Sequence, residues 1–141
     1  MSFYLDASAI LPTLIEEEAS AAIDRFVLAC EGEFLVSDFA AAEVASALSR
    51  LIRIGEMTSE DASARLADFD AWRAAAASDI DVQPSDIRLA NVFVRRFELM
   101  LRAPDALHAA ICARSGDHLV TLHRRLAHAA EELGIAVVAP Q

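Results

Sequence analysis

Three acidic residues, Asp6, Glu43 and Asp105, stand where an α/β chain can bring carboxylates together. Asp6 directly follows the apolar run 3–5, Glu43 lies among alanines early in a predicted helix, and Asp105 lies in the first turn of another. Three adjacent carboxylates repel one another unless a cation lies between them. Oxygen ligands suit Mg²⁺ or Mn²⁺, which can generate hydroxide and neutralise charge on a leaving oxygen. This combination favours phosphodiester hydrolysis.

Each of these residues also has an ordinary structural explanation. Asp6 or Ser8 can cap the helix that follows the first strand. The negative charge of Asp105 in a first helical turn interacts favourably with the helix dipole. A glutamate such as Glu43, taken alone, is more often a surface residue. His108, one turn after Asp105, can orient that carboxylate, but a structural histidine is more common at such positions. Residue types and spacing therefore leave a metal site and a structural role both open.

The elements that must position these residues alternate along the chain. Apolar runs predict buried strands at 3–5, 34–36, 80–82, 118–121 and 135–138. Helical spacing of apolar residues predicts helices at 7–15, 17–30, 39–54, about 58–76, 84–101, 104–114 and 124–133. This alternation predicts a three-layer α/β/α fold with a mostly parallel central sheet. Ligands bind beyond the carboxyl ends of such strands, where Asp6, Thr121 and His123 are expected.

Composition excludes several other classes of protein. The four glycines lie at predicted helix ends and lysine is absent, so the chain has neither a G-x-G-x-x-G loop nor a Walker A loop. Cys30 and Cys112 form no C-x-x-C pair, which argues against a disulfide framework or a structural zinc site. Without a signal-peptide pattern or an apolar run near the ~20 residues of a membrane span, we expect a soluble cytoplasmic protein. Its length fits one domain, residues 1–141.

Charge and apolar content bear on binding partners. The formal net charge of −10 argues against a protein that binds nucleic acid by phosphate neutralisation alone. However, positions 88–125 hold seven arginines against three acidic residues, and arginine suits phosphate partners. If nucleic acid is the substrate, Arg95 and Arg96 are predicted contacts; a solvated helix face is the alternative. The hydrophobic share of 55% leaves apolar surface for a partner, or reflects alanine richness.

Four segments together resemble the signature blocks of PIN domains. They are FYLDASAI at 3–10, AEVASAL at 42–48, PDALHAA at 104–110 and LVT at 119–121. They occur in the family's order, at similar spacing, and span nearly the whole chain. Chain length and the order of strands and helices agree as well. By this resemblance the chain is identified as a PIN-domain ribonuclease of the VapC toxin type.

The resemblance implies a metal-dependent endoribonuclease, the toxin of a toxin–antitoxin pair, which cleaves structured RNA such as tRNA or rRNA. Asp6, Glu43 and Asp105 match the family's first three acids, and are the implied catalytic residues and ligands of Mg²⁺ or Mn²⁺. Ser8 and Thr121 match its hydroxyl positions. The resemblance also implies a cognate antitoxin that covers the helices near the active site, and a homodimer.

One position departs from the family's pattern. Two residues after the threonine the family usually has an acid, whereas this chain has His123. Neutral imidazole is a softer ligand than carboxylate, which favours Mn²⁺ or another transition metal over Mg²⁺. One alternative is a PIN-like module that has lost catalysis and binds RNA or protein. Another is a phospho-acceptor domain that uses Asp6, which the absence of lysine disfavours.

Overall fold

A central parallel sheet brings distant parts of the chain together. A computed structural model describes residues 1–141. Its five strands are β1 (Ser2–Leu5), β2 (Glu33–Val36), β3 (Ala77–Asp79), β4 (His118–Val120) and β5 (Val137–Val138). All neighbouring strands pair in parallel, in the order β3-β2-β1-β4-β5. β1 is therefore central, and the residue that follows it enters the middle of the carboxyl edge.

Helices cover both faces of this sheet. They are α1 (Ala7–Leu14), α2 (Ser20–Ala29), α3 (Asp38–Arg53), α4 (Ser59–Ala76), α5 (Pro84–Val94), α6 (Ala103–Ser115) and α7 (Arg124–Glu132). Successive strand residues point to opposite faces, so Tyr4 joins the core beneath α5, α6 and α7, while Phe3 and Leu5 join the core beneath α1 to α4. The predicted three-layer α/β/α fold is confirmed. None of the helices combines the length and apolar character needed to cross a bilayer.

The third strand lies earlier in the sequence than predicted. It comprises Ala77–Asp79 rather than positions 80–82. Val36, the last residue of β2, is already paired with the last residue of β3. Positions 80–82 therefore run beyond the end of the neighbouring strand, and their apolar side chains pack against the core beneath α5 to α7. The apolar pattern there reflects burial, and one backbone hydrogen bond, from the Ile80 N–H to the Val36 carbonyl at 3.3 Å, still joins this segment to β2.

The fifth helix is shorter than predicted, because the chain turns to bury residues beyond it. α5 ends at Val94, and a short 3-10 helix (Phe97–Leu99) follows. Met100 then adopts a left-handed conformation with φ of 53°. The turn places Leu99 and Leu101 in the same core as α6 and α7, whereas a straight continuation of α5 would carry them past it. Tertiary burial thus overrides local helical spacing.

Four helix starts surround the carboxyl edge of the sheet. α1, α3 and α7 follow β1, β2 and β4 directly, while α6 begins at this edge and leads back to the start of β4. The Asp6 carboxylate accepts the Ala9 N–H at 3.1 Å, and Ser37 Oγ accepts the Ala40 N–H at 3.0 Å. These N-caps fix where α1 and α3 begin, and so position the side chains of their first turns.

Candidate active site

A single pocket at the carboxyl edge contains all three predicted acids. Its volume is about 300 Å³. The lining residues are Asp6, Ala7, Ser8, Glu43, Arg102, Pro104, Asp105, His108 and His123. The structure thus brings together carboxylates that are far apart in the sequence, as the prediction requires. Their catalytic and metal-binding roles stay predictions.

Asp6 is the most completely held of the three acids. It is buried, and its Oδ1 accepts hydrogen bonds from Ser8 Oγ at 2.6 Å and the Ala9 N–H at 3.1 Å. Its Oδ2 accepts from Thr121 Oγ1 at 2.6 Å. Asp6 therefore caps α1 and also lines the pocket. Its structural role does not exclude the predicted metal site. Ser8 and Thr121, the two hydroxyl residues implied by the family resemblance, are the side chains that hold Asp6.

Glu43 reaches the pocket from α3 and contacts His108. Its Oε1 accepts a hydrogen bond from His108 Nε2, while Oε2 makes no hydrogen bond. Glu43 is partly exposed, whereas His108 is buried and also contacts the hydroxyl of Tyr4. His108 makes no hydrogen bond to Asp105, the residue that its spacing had suggested as a partner. The contact between His108 and Tyr4 was not predicted, because residues 104 positions apart share no local pattern.

Asp105 faces His123 across the pocket. The distance from His123 Nδ1 to Asp105 Oδ2 is 3.3 Å, and the His123 side chain is 50% exposed. Burial raises the pKa of Asp105, and the negative charges of Asp6 and Glu43 raise it further, against the opposing effect of His123 and His108. A bound cation would reverse this effect, because it favours the ionised carboxylate.

The pocket also contains Arg102, which the sequence did not single out. Arg102 is exposed, and its side chain makes no hydrogen bond or ion pair in the structure. The two arginines predicted to contact nucleic acid are engaged instead: Arg95 donates to Asn91 at 3.2 Å, and Arg96 pairs with Glu98 at 3.0 Å. The position of Arg102, immediately before α6 and three residues before Asp105, is the only signal that could have identified it.

The donor set suits a hard divalent cation. Oxygen atoms of Asp6, Glu43 and Asp105 line one pocket, and Glu43 Oε2 and Asp105 Oδ1 carry no hydrogen bond. Burial is the main cause of the raised pKa of Asp105, and the carboxylates of Asp6 and Glu43 add to it. As the side chains stand, no three His, Cys, Asp or Glu residues are placed to hold a metal ion together. The three acids share one pocket and fit such an ion in the chemistry of their donor atoms.

Fold and pocket together define an α/β protein with an acid-lined pocket at the carboxyl edge of a parallel sheet. The sequence matches the model of the PIN domain family over residues 3–132. The chain belongs to the PIN domain family. The sequence has no significant match among curated proteins.

Solved structures with the same fold cover almost the whole chain. VapC20 of Mycobacterium tuberculosis, described as a sarcin–ricin loop cleaving toxin, is 17% identical with a TM-score of 0.74, over 98% of this chain and 99% of that one. PAE2754 of Pyrobaculum aerophilum is 23% identical with a TM-score of 0.67, over 98% and 84%. VapBC2 of Rickettsia felis, bound to a promoter DNA fragment, is 15% identical with a TM-score of 0.67, over 98% of both chains. At these identities the likeness concerns the fold.

Proposed function

We propose that this chain is a divalent-metal-dependent endoribonuclease that acts as the toxin of a toxin–antitoxin pair. The observation that supports this proposal most directly is the pocket in which Asp6, Glu43 and Asp105 meet within a PIN-family fold. RNA is the proposed substrate, in keeping with the description of VapC20 as a toxin that cleaves the sarcin–ricin loop. Structured RNA such as tRNA or rRNA is the proposed target.

In this proposal several residues in and beside the pocket have defined tasks. Asp6, Glu43 and Asp105 would hold Mg²⁺ or Mn²⁺, and the ion would supply an activated water and offset negative charge at the scissile phosphate. Ser8 donates a hydrogen bond to Asp6 Oδ1 and Thr121 donates one to Oδ2, so these two hydroxyls hold the carboxylate in place. Arg102, exposed and unpaired beside the acids, binds a phosphate of the RNA.

The proposal includes two protein partners. The first is a cognate antitoxin, since one of the structural neighbours is a VapBC complex. The second is another copy of this chain, for which exposed apolar side chains provide surface. The proposed setting is the cytoplasm, where RNA substrates are present, and the proposed organisation is a single PIN domain over residues 1–141.

The decisive experiment is cleavage of total cellular RNA by the purified protein, freed of antitoxin, with EDTA, Mg²⁺ or Mn²⁺. We expect discrete fragments only with metal. Asp6→Asn should lower the rate by about 100-fold or more, the cost of several kcal/mol of lost charge stabilisation. Asparagine caps a helix about as well as aspartate, so this variant separates catalysis from the start of α1. Asp70→Asn, on the exposed side of α4, is the matched control and should cleave normally.

Two results would count against the proposal. Cleavage that persists in EDTA, or in Asp6→Asn, would show that the pocket is not the catalytic centre. A folded protein that cleaves no RNA with any metal would favour the alternative of a PIN-like binding module, with His123 as the position that explains the loss. Calorimetry with Mn²⁺ would then establish whether the pocket still binds a metal.

A further inference from the structure

We infer that a buried hydrogen-bond chain through Ser37, Tyr4 and His108 positions Glu43, so that Tyr4 and His108 act as positioning residues of the pocket. The role of Glu43 in this inference rests on the proposed function. The hydrogen bonds that link Ser37 to Glu43 are contacts in the structure and do not depend on the proposed function.

The contacts form an unbroken path from the core to the pocket. Ser37 Oγ lies 2.8 Å from the Tyr4 hydroxyl, and that hydroxyl lies 2.6 Å from His108 Nδ1. His108 Nε2 contacts Glu43 Oε1. Ser37 and Tyr4 are fully buried and His108 is 2% exposed, so water cannot substitute for a missing partner. His108 and Glu43 line the pocket, whereas Ser37 and Tyr4 do not.

The chemistry of the donors gives this path one direction. An ionised Glu43 can only accept, so His108 Nε2 must carry a proton and donate it. The Tyr4 phenol has a proton that it can donate to His108 Nδ1. Ser37 Oγ accepts the Ala40 N–H at 3.0 Å, which leaves its own proton for the Tyr4 oxygen. Each member of the path then has a partner, and the imidazole nitrogen that donates to Glu43 is Nε2.

This path gives Glu43 a support comparable to the one that Asp6 receives from its own hydrogen-bond partners. Asp6 is short, follows a strand directly and is held by two hydroxyls and an amide. Glu43 is longer, has more freedom of rotation and lies on a helix surface, so it needs an external anchor. The path ties it to β1 through Tyr4 and to α6 through His108. Because only Oε1 is used, Oε2 stays available for a cation.

The first test is the affinity of the pocket for Mn²⁺, measured by calorimetry on the whole chain. Tyr4→Phe removes one hydroxyl, and His108→Asn retains a polar group near Nδ1 but falls short of Glu43. Each should weaken Mn²⁺ binding by about 10-fold, the usual effect of losing a residue that orients a ligand. His108→Gln extends an amide toward the Nε2 position and should retain more affinity than His108→Asn.

A destabilised control separates positioning from folding. Thr58→Ala removes the side chain that accepts the Asp61 N–H at the start of α4, far in the sequence from these residues. It should lower the melting temperature and leave the Mn²⁺ affinity unchanged. If Tyr4→Phe and His108→Asn bind Mn²⁺ as the wild type does, the inference is wrong. If Thr58→Ala weakens binding equally, general destabilisation explains the effect and the inference is also wrong.

The second test is the tautomer of His108, read from ¹H–¹⁵N correlations at pH 8 without metal. We expect a protonated Nε2 and an unprotonated Nδ1, and any other pattern overturns the hydrogen-bond chain. The two proposals fail in different ways. A wild type that neither binds Mn²⁺ nor cleaves RNA defeats the proposed function and this inference together. A wild type that does both, with variants that bind equally well, defeats this inference alone.

Discussion

At the scale of single residues, Asp6 shows how one side chain can cap a helix and line a pocket at the same time. Its Oδ1 caps α1, and its Oδ2 is held by Thr121 from the neighbouring strand β4. A carboxylate can accept several hydrogen bonds at once, so capping does not remove it from the pocket. The structural and functional explanations of such a residue are therefore not exclusive, and substitution by asparagine is the change that distinguishes them.

His123 provides a residue-scale prediction about metal preference. It lies 3.3 Å from Asp105 at the position where the family usually has an acid. His123→Asp adds a hard oxygen ligand, so Mg²⁺-supported cleavage should rise by about 10-fold, the effect of about 1.4 kcal/mol of added charge stabilisation. The measurement is the ratio of cleavage rates in Mg²⁺ and Mn²⁺. His128→Asp, exposed on α7, the helix that begins directly after His123, controls for added charge. An unchanged or lower Mg²⁺ rate would contradict the prediction.

Arg102 provides a second prediction, on RNA binding. It is unpaired beside the acids, whereas Arg95 and Arg96 already have partners. Arg102→Ala should therefore weaken RNA binding and reduce the slope of log affinity against log salt by about 1, the signature of one lost phosphate contact. Arg88→Ala, exposed on α5, is the matched control. Equal effects of the two variants would show that RNA does not pass over the pocket at Arg102.

At the scale of elements, an ion pair between the buried Asp86 of α5 and the partly exposed Arg114 of α6 joins these two helices. Asp86 is 1% exposed, and Arg114 donates to its two oxygens at 2.7 and 3.0 Å. Burial alone would raise the pKa of Asp86, but the hydrogen bonds from Arg114 and the Gln83 N–H outweigh it and lower that pKa. Since α6 carries Asp105 and His108, this pair also fixes the helix that supplies two pocket residues.

Removing Arg114 should destabilise the fold in a pH-dependent way. Arg114→Met leaves a buried carboxylate without its cation and should lower the free energy of unfolding by about 3 kcal/mol at neutral pH. Because the pKa of Asp86 is lowered in the folded state, its contribution is present above about pH 4 and is lost as the pH falls further. Urea unfolding should therefore show the difference from the wild type shrinking in acid. A constant difference across this range, or an equal loss in Arg88→Met, would refute this explanation.

The sequence predicted the strands and helices better than it predicted which side chains contact one another. Alternating apolar periods indicated the three layers, and four motif blocks indicated Asp6, Glu43 and Asp105. The third strand was misplaced because burial and strand pairing leave the same apolar pattern in a short segment. The contact between His108 and Glu43 joins residues 65 positions apart. Local spacing relates His108 only to neighbours such as Asp105, so this partner becomes visible only once α3 and α6 are packed.

At the scale of the whole molecule, apolar surface is concentrated in one part of the chain. Of seven exposed large apolar side chains, four belong to α5 or the turn after it: Ile87, Val92, Phe97 and Met100. If this segment is the surface for a second copy, Phe97→Glu should shift the protein from dimer to monomer at micromolar concentration. Sedimentation velocity would measure the change, with Leu28→Glu on α2 as the equally exposed control. A wild-type monomer, or a dimer that Phe97→Glu leaves intact, would contradict this prediction.

The central place of β1 has a consequence for how the protein is made. Asp6 is synthesised early, but Thr121, which holds one of its oxygens, follows 115 residues later. Strand pairs between such distant segments form late and slowly. A growing chain therefore has no finished pocket until Thr121 has left the ribosome. Under the proposed ribonuclease function, the RNA of that ribosome is not cleaved before this point, and an antitoxin synthesised alongside has the same interval in which to bind.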